Sequence, residues 1–196
     1  MTRRQGFCLK WSPNLEKILR ESEVLGHGNN GIVYLLPNGK VMKIFGKKSV
    51  CDDEHYILKK VNKKSSHFPK VYERGDNYMI RDYVGGYRLD KYLRKHNLNK
   101  ILCLNLIELI KEFEKLGFTK LDTRCKDLYV QDDFTLMIID PKQCYTKQVL
   151  TPEHLMKGLE KRNQLDLFLD CLKEYDCKLY NKWYKSYMNY LLRSIE

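Results

Sequence analysis

The sequence predicts an α+β protein with a mainly β first part and a mainly helical second part. Up to residue 83, short apolar runs alternate with turn residues in the order strand, strand, strand, helix, strand, strand. Beyond it, apolar residues recur at helical spacing over most of the chain. The stretch Val84-Gly85-Gly86-Tyr87 lies between the two patterns. The sequence therefore predicts two parts, residues 1–83 and 84–196, joined by a glycine linker.

Each part has a definite predicted order of elements. The first is predicted to form a five-stranded antiparallel sheet with one main helix at 52–61, a short helix at 14–23, and strands at 23–25, 32–36, 41–45, 70–73 and 77–83. Pro37-Asn38-Gly39-Lys40 is typical of a tight turn between paired strands. The second is predicted to form helices at 89–95 and 99–116, short strands at 128–130 and 135–139, and two helices from about residue 152 onward.

Composition and charge limit the class of protein. The 196 residues carry a net charge of +11, which fits a nucleic-acid surface, a phosphate-binding site or a lysine-rich solvated face; the last is favoured because the lysines are spread along the chain. No apolar stretch reaches the ~18 residues that a membrane span needs, and none follows the basic N-terminus, so we expect neither a span nor a signal peptide. The seven cysteines contain no C-x-x-C pair, which predicts reduced thiols and a cytoplasmic location.

A glycine motif in the first part predicts a phosphate-binding turn. It reads Gly26-x-Gly28-x-x-Gly31-x-Val33, and glycines at such positions let the backbone approach phosphates closely. Dinucleotide-binding folds use the same spacing, but there the turn opens a helix. Here a predicted strand follows, which favours a hairpin that covers phosphates.

A lysine on the third predicted strand needs a partner. Lys43 is flanked by Met42 and Ile44, and a lysine in such apolar surroundings requires a counter-charge or a phosphate. Glu54, on the following predicted helix, is the favoured partner. Asp52 and Asp53 compete with it for this role.

These features resemble the N-lobe of the protein-kinase fold, which has a glycine-rich loop, a lysine on its third strand and a glutamate on the next helix. Residues 118–130 resemble the catalytic loop of that family, and residues 137–140 resemble the strand that ends in its metal-binding aspartate. The resemblance implies an adenine-contacting hinge and a catalytic set. The hinge is Asp82, Tyr83 and Val84; the set is Asp122 as proton acceptor, Arg124 at the γ-phosphate, and Asp127 and Asp140 as ligands of Mg²⁺ or Mn²⁺.

The sequence also departs from the family pattern. Lys120-Leu121 replaces the His-Arg that precedes the catalytic aspartate, and Pro141 and Lys142 replace the Phe-Gly that follows the metal-binding aspartate. We therefore expect no switch based on activation-loop phosphorylation. Thr151-Pro152-Glu153 is interpreted as a helix start with threonine as the N-cap.

Three further positions carry expectations of their own. Arg81 falls at the position that an apolar gatekeeper usually occupies, unless a one-residue bulge places Ile80 there. Asp166 is a candidate for a buried aspartate that braces the catalytic loop. The five histidines show no metal-ligand spacing and are interpreted as surface or loop residues.

The expected protein is thus a bilobal, protein-kinase-like phosphotransferase with a truncated, mostly helical C-lobe. The resemblance implies transfer of the γ-phosphoryl of ATP to a hydroxyl acceptor, with protein serine or threonine favoured. The alternatives are a pseudokinase that binds nucleotide as a regulatory module, a small-molecule or sugar kinase of the same fold, and a basic RNA-associated factor. The charge is compatible with nucleic acid but does not require it.

Overall fold

The computed structural model describes residues 13–28 and 30–193 and has an α+β architecture, as predicted. The N-terminal residues considered for a signal peptide, and Cys8, lie outside the described residues. The chain divides into two compact units. The first consists of the described residues up to Lys59 together with Lys70–Tyr83, and the second of Lys60–Pro69 together with the described residues from Val84 onward.

The first unit contains the predicted five-stranded antiparallel sheet, with strand order β1-β2-β3-β5-β4. β1 and β2 form the glycine hairpin, and the main helix α2 begins four residues earlier than predicted, at Lys48. The elements in chain order are α1 (Pro13–Arg20), β1 (Glu23–Gly28), β2 (Gly31–Leu35), β3 (Lys40–Phe45), α2 (Lys48–Val61), β4 (Val71–Arg74) and β5 (Tyr78–Asp82).

Strand β3 forms the centre of this sheet and is buried on both faces. On one face Met42 and Ile44 form a core with Leu15 of α1 and Leu36. Because side chains alternate along a strand, Lys43 points to the opposite face, together with Phe45. A lysine is therefore placed in the interior of the unit by the same alternation that builds its core.

The second unit is mostly helical and contains a small antiparallel sheet of order β6-β7-β8. The two-residue strand β6 was not predicted, and three helices rather than two follow residue 152. The elements are β6 (Tyr87–Arg88), α3 (Leu89–Tyr92), α4 (Lys100–Lys115), a 3₁₀ turn (Cys125–Asp127), β7 (Leu128–Val130), β8 (Leu136–Ile138), α5 (Glu153–Glu160), α6 (Leu165–Tyr175) and α7 (Cys177–Arg193).

The segment Lys60–Pro69 packs into this second unit. The backbone N–H of Ile138 donates to the carbonyl of His67 at 2.8 Å, and the ring Nδ1 of His67 lies 2.6 Å from the carbonyl oxygen of Leu136. The Phe68 ring meets the rings of Phe113 and Phe118 at centroid distances of 6.5 and 6.0 Å. The segment thus supplies both a hydrogen-bond acceptor to β8 and an aromatic side chain to the core.

Two coarse expectations can be compared with the described part of the chain. Its six cysteines are all free thiols, and five of them are buried. None of its helices combines the length and the apolar character that crossing a membrane demands.

We predict that Gly31→Ala destabilises the protein by about 2 kcal/mol or more, because Gly31 has φ +144° and a Cβ there would lie 1.7 Å from the carbonyl oxygen of Ile44. Gly28→Ala is the matched control, since its Cβ would meet no described atom closer than 4.0 Å. Urea unfolding measures both. Equal stability losses in the two variants would contradict the packing described here.

Candidate functional site

The glycine hairpin contains two kinds of glycine. Gly31 is required by the fold because the backbone of β3 leaves no room for a side chain. A side chain at Gly26 would meet no described atom within 4 Å, and one at Gly28 would barely touch Gly31. The fold itself therefore gives no reason for glycine at positions 26 and 28. A ligand that approaches the backbone closely gives such a reason.

Lys43 and Glu54 form a buried ion pair in the first unit, with Nζ 2.5 Å from Oε2. The side chains are only 7% and 3% exposed. Of the three acidic residues considered, Glu54 is thus the one that meets Lys43, whereas Asp52 pairs with Arg74. Removing two charges from water costs free energy that burying two hydrophobic side chains of similar size does not cost. A buried ion pair is therefore weak evidence for a purely stabilising role.

The predicted hinge residues lie at the end of β5 and just beyond it. The Asp82 carboxylate is held within the first unit, where it accepts from Tyr72 Oη at 2.7 Å and from the Lys70 backbone N–H at 2.9 Å. Tyr83 is half exposed. Val84 is the first residue of the second unit in this part of the chain.

Arg81 occupies a buried position on β5. The strand pairs with β3 without a register shift, from Lys40 opposite Asp82 to Ile44 opposite Tyr78, so no bulge moves Ile80 into that place. Arg81 is 4% exposed and shares its face of the sheet with Lys43 by alternation. Its Nε and Nη1 atoms have no hydrogen-bond partner among the described residues, which is costly for a buried guanidinium.

The second unit contains a pocket that gathers the predicted catalytic residues. The loop before β7 and the segment after β8 contribute its polar lining, and Phe68, Phe113 and Phe118 contribute an apolar side. The polar residues include Asp122, Arg124, Asp127, Asp140, Lys142 and His154. The four residues that the family resemblance implies for catalysis and metal binding, Asp122, Arg124, Asp127 and Asp140, thus line one pocket, although they come from separate segments of the chain.

Asp122 is buried at the N-terminus of α5. Its carboxylate accepts from the backbone N–H of His154 at 3.1 and 3.2 Å and from that of Leu155 at 3.3 Å, and His154 Nδ1 lies 2.5 Å from Oδ2. The helix begins at Glu153, and its cap position, Pro152, makes no side-chain cap bond. The predicted Thr151 cap is therefore wrong, because Asp122 satisfies the free N–H groups of the first turn instead.

Burial and charge affect the carboxyl groups of this pocket differently. Burial raises the pKa of Asp122, against the opposing effect of His154. Burial and, next, the charge of Asp140 raise the pKa of Asp127, so these two carboxylates repel each other. Lys142 Nζ lies 2.5 Å from Asp140 Oδ2, and Arg124 Nε lies 3.9 Å from Asp127 Oδ2.

Asp127 and Asp140 fit a divalent cation that arrives with phosphates. No set of three or more His, Cys, Asp or Glu side chains among the described residues can hold a metal unaided. Mg²⁺ is commonly bound by one or two carboxylates together with substrate phosphates and water. The repulsion between Asp127 and Asp140 is also what a cation between them relieves.

Close packing between α5 and the 3₁₀ turn fixes the position of this helix. Cys125 Sγ lies 3.7 Å from the Leu155 carbonyl oxygen, and a side chain at Gly158 would lie 2.5 Å from that sulfur. Burial raises the pKa of Cys125 to about 12, so this thiol is not a nucleophile at neutral pH. Sequence reasoning missed the contact of Cys125 with Leu155 and the contact of His154 with Asp122, since residues 30 and 32 positions apart carry no periodic signal.

Asp166 does not brace the loop, contrary to expectation, because it is exposed in the first turn of α6. A buried amide two residues earlier, at the cap position of α6, has a bracing role of another kind. Gln164 accepts from the Leu98 backbone N–H at 2.7 Å and donates to Asn97 Oδ1 at 3.1 Å. It therefore holds the segment before α4, not the predicted catalytic loop.

Comparison with known proteins gives no assignment for this chain, because no protein-family model and no curated protein matches it. A functional assignment therefore depends on the site residues themselves.

We predict that Asp127→Asn stabilises the protein at neutral pH by on the order of 1 kcal/mol in metal-free buffer. The folded-state pKa of Asp127 is raised. The folded protein therefore loses stability as the pH rises from about 3.9, the unfolded value, through the folded-state value. The asparagine variant lacks this loss, so its advantage is complete above the folded-state pKa and disappears below about pH 3.9.

Urea unfolding across this pH range in the presence of a chelator measures the difference. Asp132→Asn, at an exposed carboxylate in the turn between β7 and β8, is the control and should show no such change. An advantage of Asp127→Asn that grows as the pH falls would contradict the raised pKa.

Proposed function

We propose that the chain is an ATP- and Mg²⁺-dependent phosphotransferase whose two units are the lobes of a protein-kinase-like fold. It transfers the γ-phosphoryl group to a hydroxyl acceptor, with protein serine or threonine as the favoured class. Mn²⁺ is an alternative metal. A small-molecule or sugar acceptor suits the same chemistry, since the site residues named below act on the phosphates and on a hydroxyl.

The observation that carries this proposal is the pocket of the second unit. Asp127 and Asp140 come from either side of the β7–β8 hairpin and lie close enough for one to raise the pKa of the other. Arg124 and Lys142 accompany them with positive charge. Two neighbouring carboxylates with positively charged side chains beside them are suited to bind a metal ion together with phosphates. An ordinary solvent-exposed surface gives no reason to place two aspartates where they repel each other.

The first unit supports the proposal independently. The buried ion pair with Glu54 holds the ammonium group of Lys43 in a fixed position. Positions 26 and 28 are glycine although the described fold leaves room for a side chain at both. In the proposed reaction Lys43 binds the α- and β-phosphates, and the glycine hairpin, including Val33, covers the nucleotide. Asp82, Tyr83 and Val84 contact the adenine in this scheme.

The chemistry requires little covalent participation by the protein. Positioning and charge neutralisation supply most of the rate in phosphoryl transfer. Arg124 is the side chain assigned to the γ-phosphate, and it is half exposed within the pocket. A metal held by Asp127 and Asp140 would neutralise charge on the phosphates. Asp122 acts at the acceptor side, where the hydroxyl must lose its proton.

A nucleotide-binding module without turnover is the second candidate. Two observations favour it: the Asp122 carboxylate is occupied by the N-terminus of α5, and the Lys142 amine lies against Asp140. Such a pseudokinase binds Mg-ATP but transfers no phosphate. Binding and turnover measured on the same preparation separate the two candidates.

We expect Mg-ATP at 100 times its dissociation constant to stabilise the protein by about 2.7 kcal/mol. We also expect label from γ-³²P-ATP to appear as phosphate or on an acceptor. Asp140→Asn should weaken the Mg-ATP stabilisation and reduce transfer at least about 100-fold, if electrostatic stabilisation of the phosphates is lost. Stabilisation without transfer supports the pseudokinase, and the absence of both contradicts nucleotide binding.

A double variant separates the structural role of the buried ion pair from its functional role. Lys43→Met alone leaves Glu54 buried without its lysine and should cost about 3–5 kcal/mol, whereas Lys43→Met with Glu54→Leu should restore near wild-type stability. The double variant should nevertheless lose stabilisation by Mg-ATP. Retained Mg-ATP stabilisation in this folded variant would show that the pair serves the fold alone.

A further inference from the structure

The Asp122 carboxylate lies in the wall of the pocket, against the N-terminus of α5. Its side chain is only 1% exposed, and both of its oxygens accept hydrogen bonds from backbone N–H groups. The backbone N–H donors favour the ionised, accepting form of this carboxylate, whereas burial raises its pKa. An acceptor hydroxyl has little access to it.

His154 connects this buried carboxylate to the pocket. Its Nδ1 lies 2.5 Å from Asp122 Oδ2, its side chain is 44% exposed, and it lines the same pocket as Asp127 and Asp140. Because an ionised carboxylate only accepts, we assign the proton of this bond to Nδ1. The lone pair of the neutral ring is then on Nε2, the ring atom on the far side from Asp122.

We infer that His154 is the general base of the proposed phosphotransfer and that Asp122 is its positioning residue. The inference rests on the proposed function. Nε2 of His154 takes the proton of the acceptor hydroxyl as that oxygen bonds to the γ-phosphorus of ATP. The bond between the γ-phosphorus and the β–γ bridging oxygen breaks, ADP leaves with that electron pair, and the imidazolium later releases its proton to water.

Several charged and titratable groups surround the imidazole ring of His154. The charged or titratable neighbours on its own helix and on α7 are Glu153, Lys157, Tyr190 and Arg193. Arg193 pairs with Glu153 at 3.7 Å, and the centroid of the Tyr190 ring lies 5.8 Å from that of the imidazole. The other charged groups of the pocket are Lys120, Arg124, Asp127, Asp140, Lys142 and Lys147. Among the described residues, the acidic group that contacts the imidazole is Asp122.

The variant His154→Gln tests the inference, because glutamine keeps the backbone N–H that Asp122 accepts and cannot take up a proton. With γ-³²P-ATP and Mg²⁺ as the probe, we expect phosphate release by this variant to fall about 10²- to 10⁴-fold. The thermal midpoint and the shift that Mg-ATP adds to it should stay as in the wild type. The decline of kcat/KM at acid pH should also disappear. His96→Gln, at an exposed histidine outside the pocket, is the control.

A second measurement shows which ring nitrogen of His154 carries the proton and does not require turnover. In the ¹⁵N-histidine-labelled chain, the nitrogen signals of His154, assigned by their loss in His154→Gln, should show the proton on Nδ1. Asp122→Asn should move the tautomeric equilibrium of His154 towards a proton on Nε2 and displace the acid limb of the profile of kcat/KM against pH. Loss of a carboxylate that only capped α5 would have neither effect.

The outcomes separate the two proposals. An active wild type with His154→Gln within about threefold of it in turnover, a difference below 1 kcal/mol, overturns the role of His154 and leaves the proposed function standing. A proton found on Nε2 in the wild type overturns it as well. A wild-type chain that binds Mg-ATP without turnover overturns both the transferase and its base.

Discussion

The N-terminus of α5 and the buried Asp122 carboxylate satisfy each other, and the arrangement of the second unit depends on this contact. A buried carboxylate must be supplied with donors, and the first turn of a helix has N–H groups that must be supplied with acceptors. Asp122 fulfils both requirements across 32 residues of sequence. The neighbouring backbone bond from Leu121 N–H to the Val149 carbonyl, at 2.7 Å, fixes the loop on the other side.

In the first unit a buried positive charge, the ammonium group of Lys43, likewise requires a partner. Lys43 lies on a strand that is buried on both faces, so its charge requires a fixed partner, and α2 supplies Glu54. Arg81 shares that face and illustrates the cost when partners are incomplete, since two of its nitrogens lack a hydrogen bond among the described residues. Within the described part of the first unit, buried charge is thus concentrated at positions 43, 54 and 81, where an apolar side chain would suit folding better.

Local patterns explain what could be predicted from the sequence. The glycine hairpin, β3 and α4 were predicted correctly because alternation, turn residues and helical spacing act over a few residues. The Lys43–Glu54 contact was predicted because a lysine among apolar neighbours requires a counter-charge. The start of α5 was predicted to within one residue, but its cap and the contact of His154 were not, because an acceptor from a distant loop replaced the expected Thr151 cap. A two-residue strand such as β6 has no periodicity to detect.

The path of the chain has a consequence for any attempt to separate the units. Residues 60–69 belong to the second unit but lie between two stretches of the first, so the polypeptide crosses from one unit to the other three times. A fragment that begins at Val84 lacks the carbonyl of His67 to which Ile138 donates and the aromatic ring of Phe68. A single cut thus cannot yield two complete units, because a cut that keeps the first unit whole leaves residues 60–69 of the second unit on its fragment.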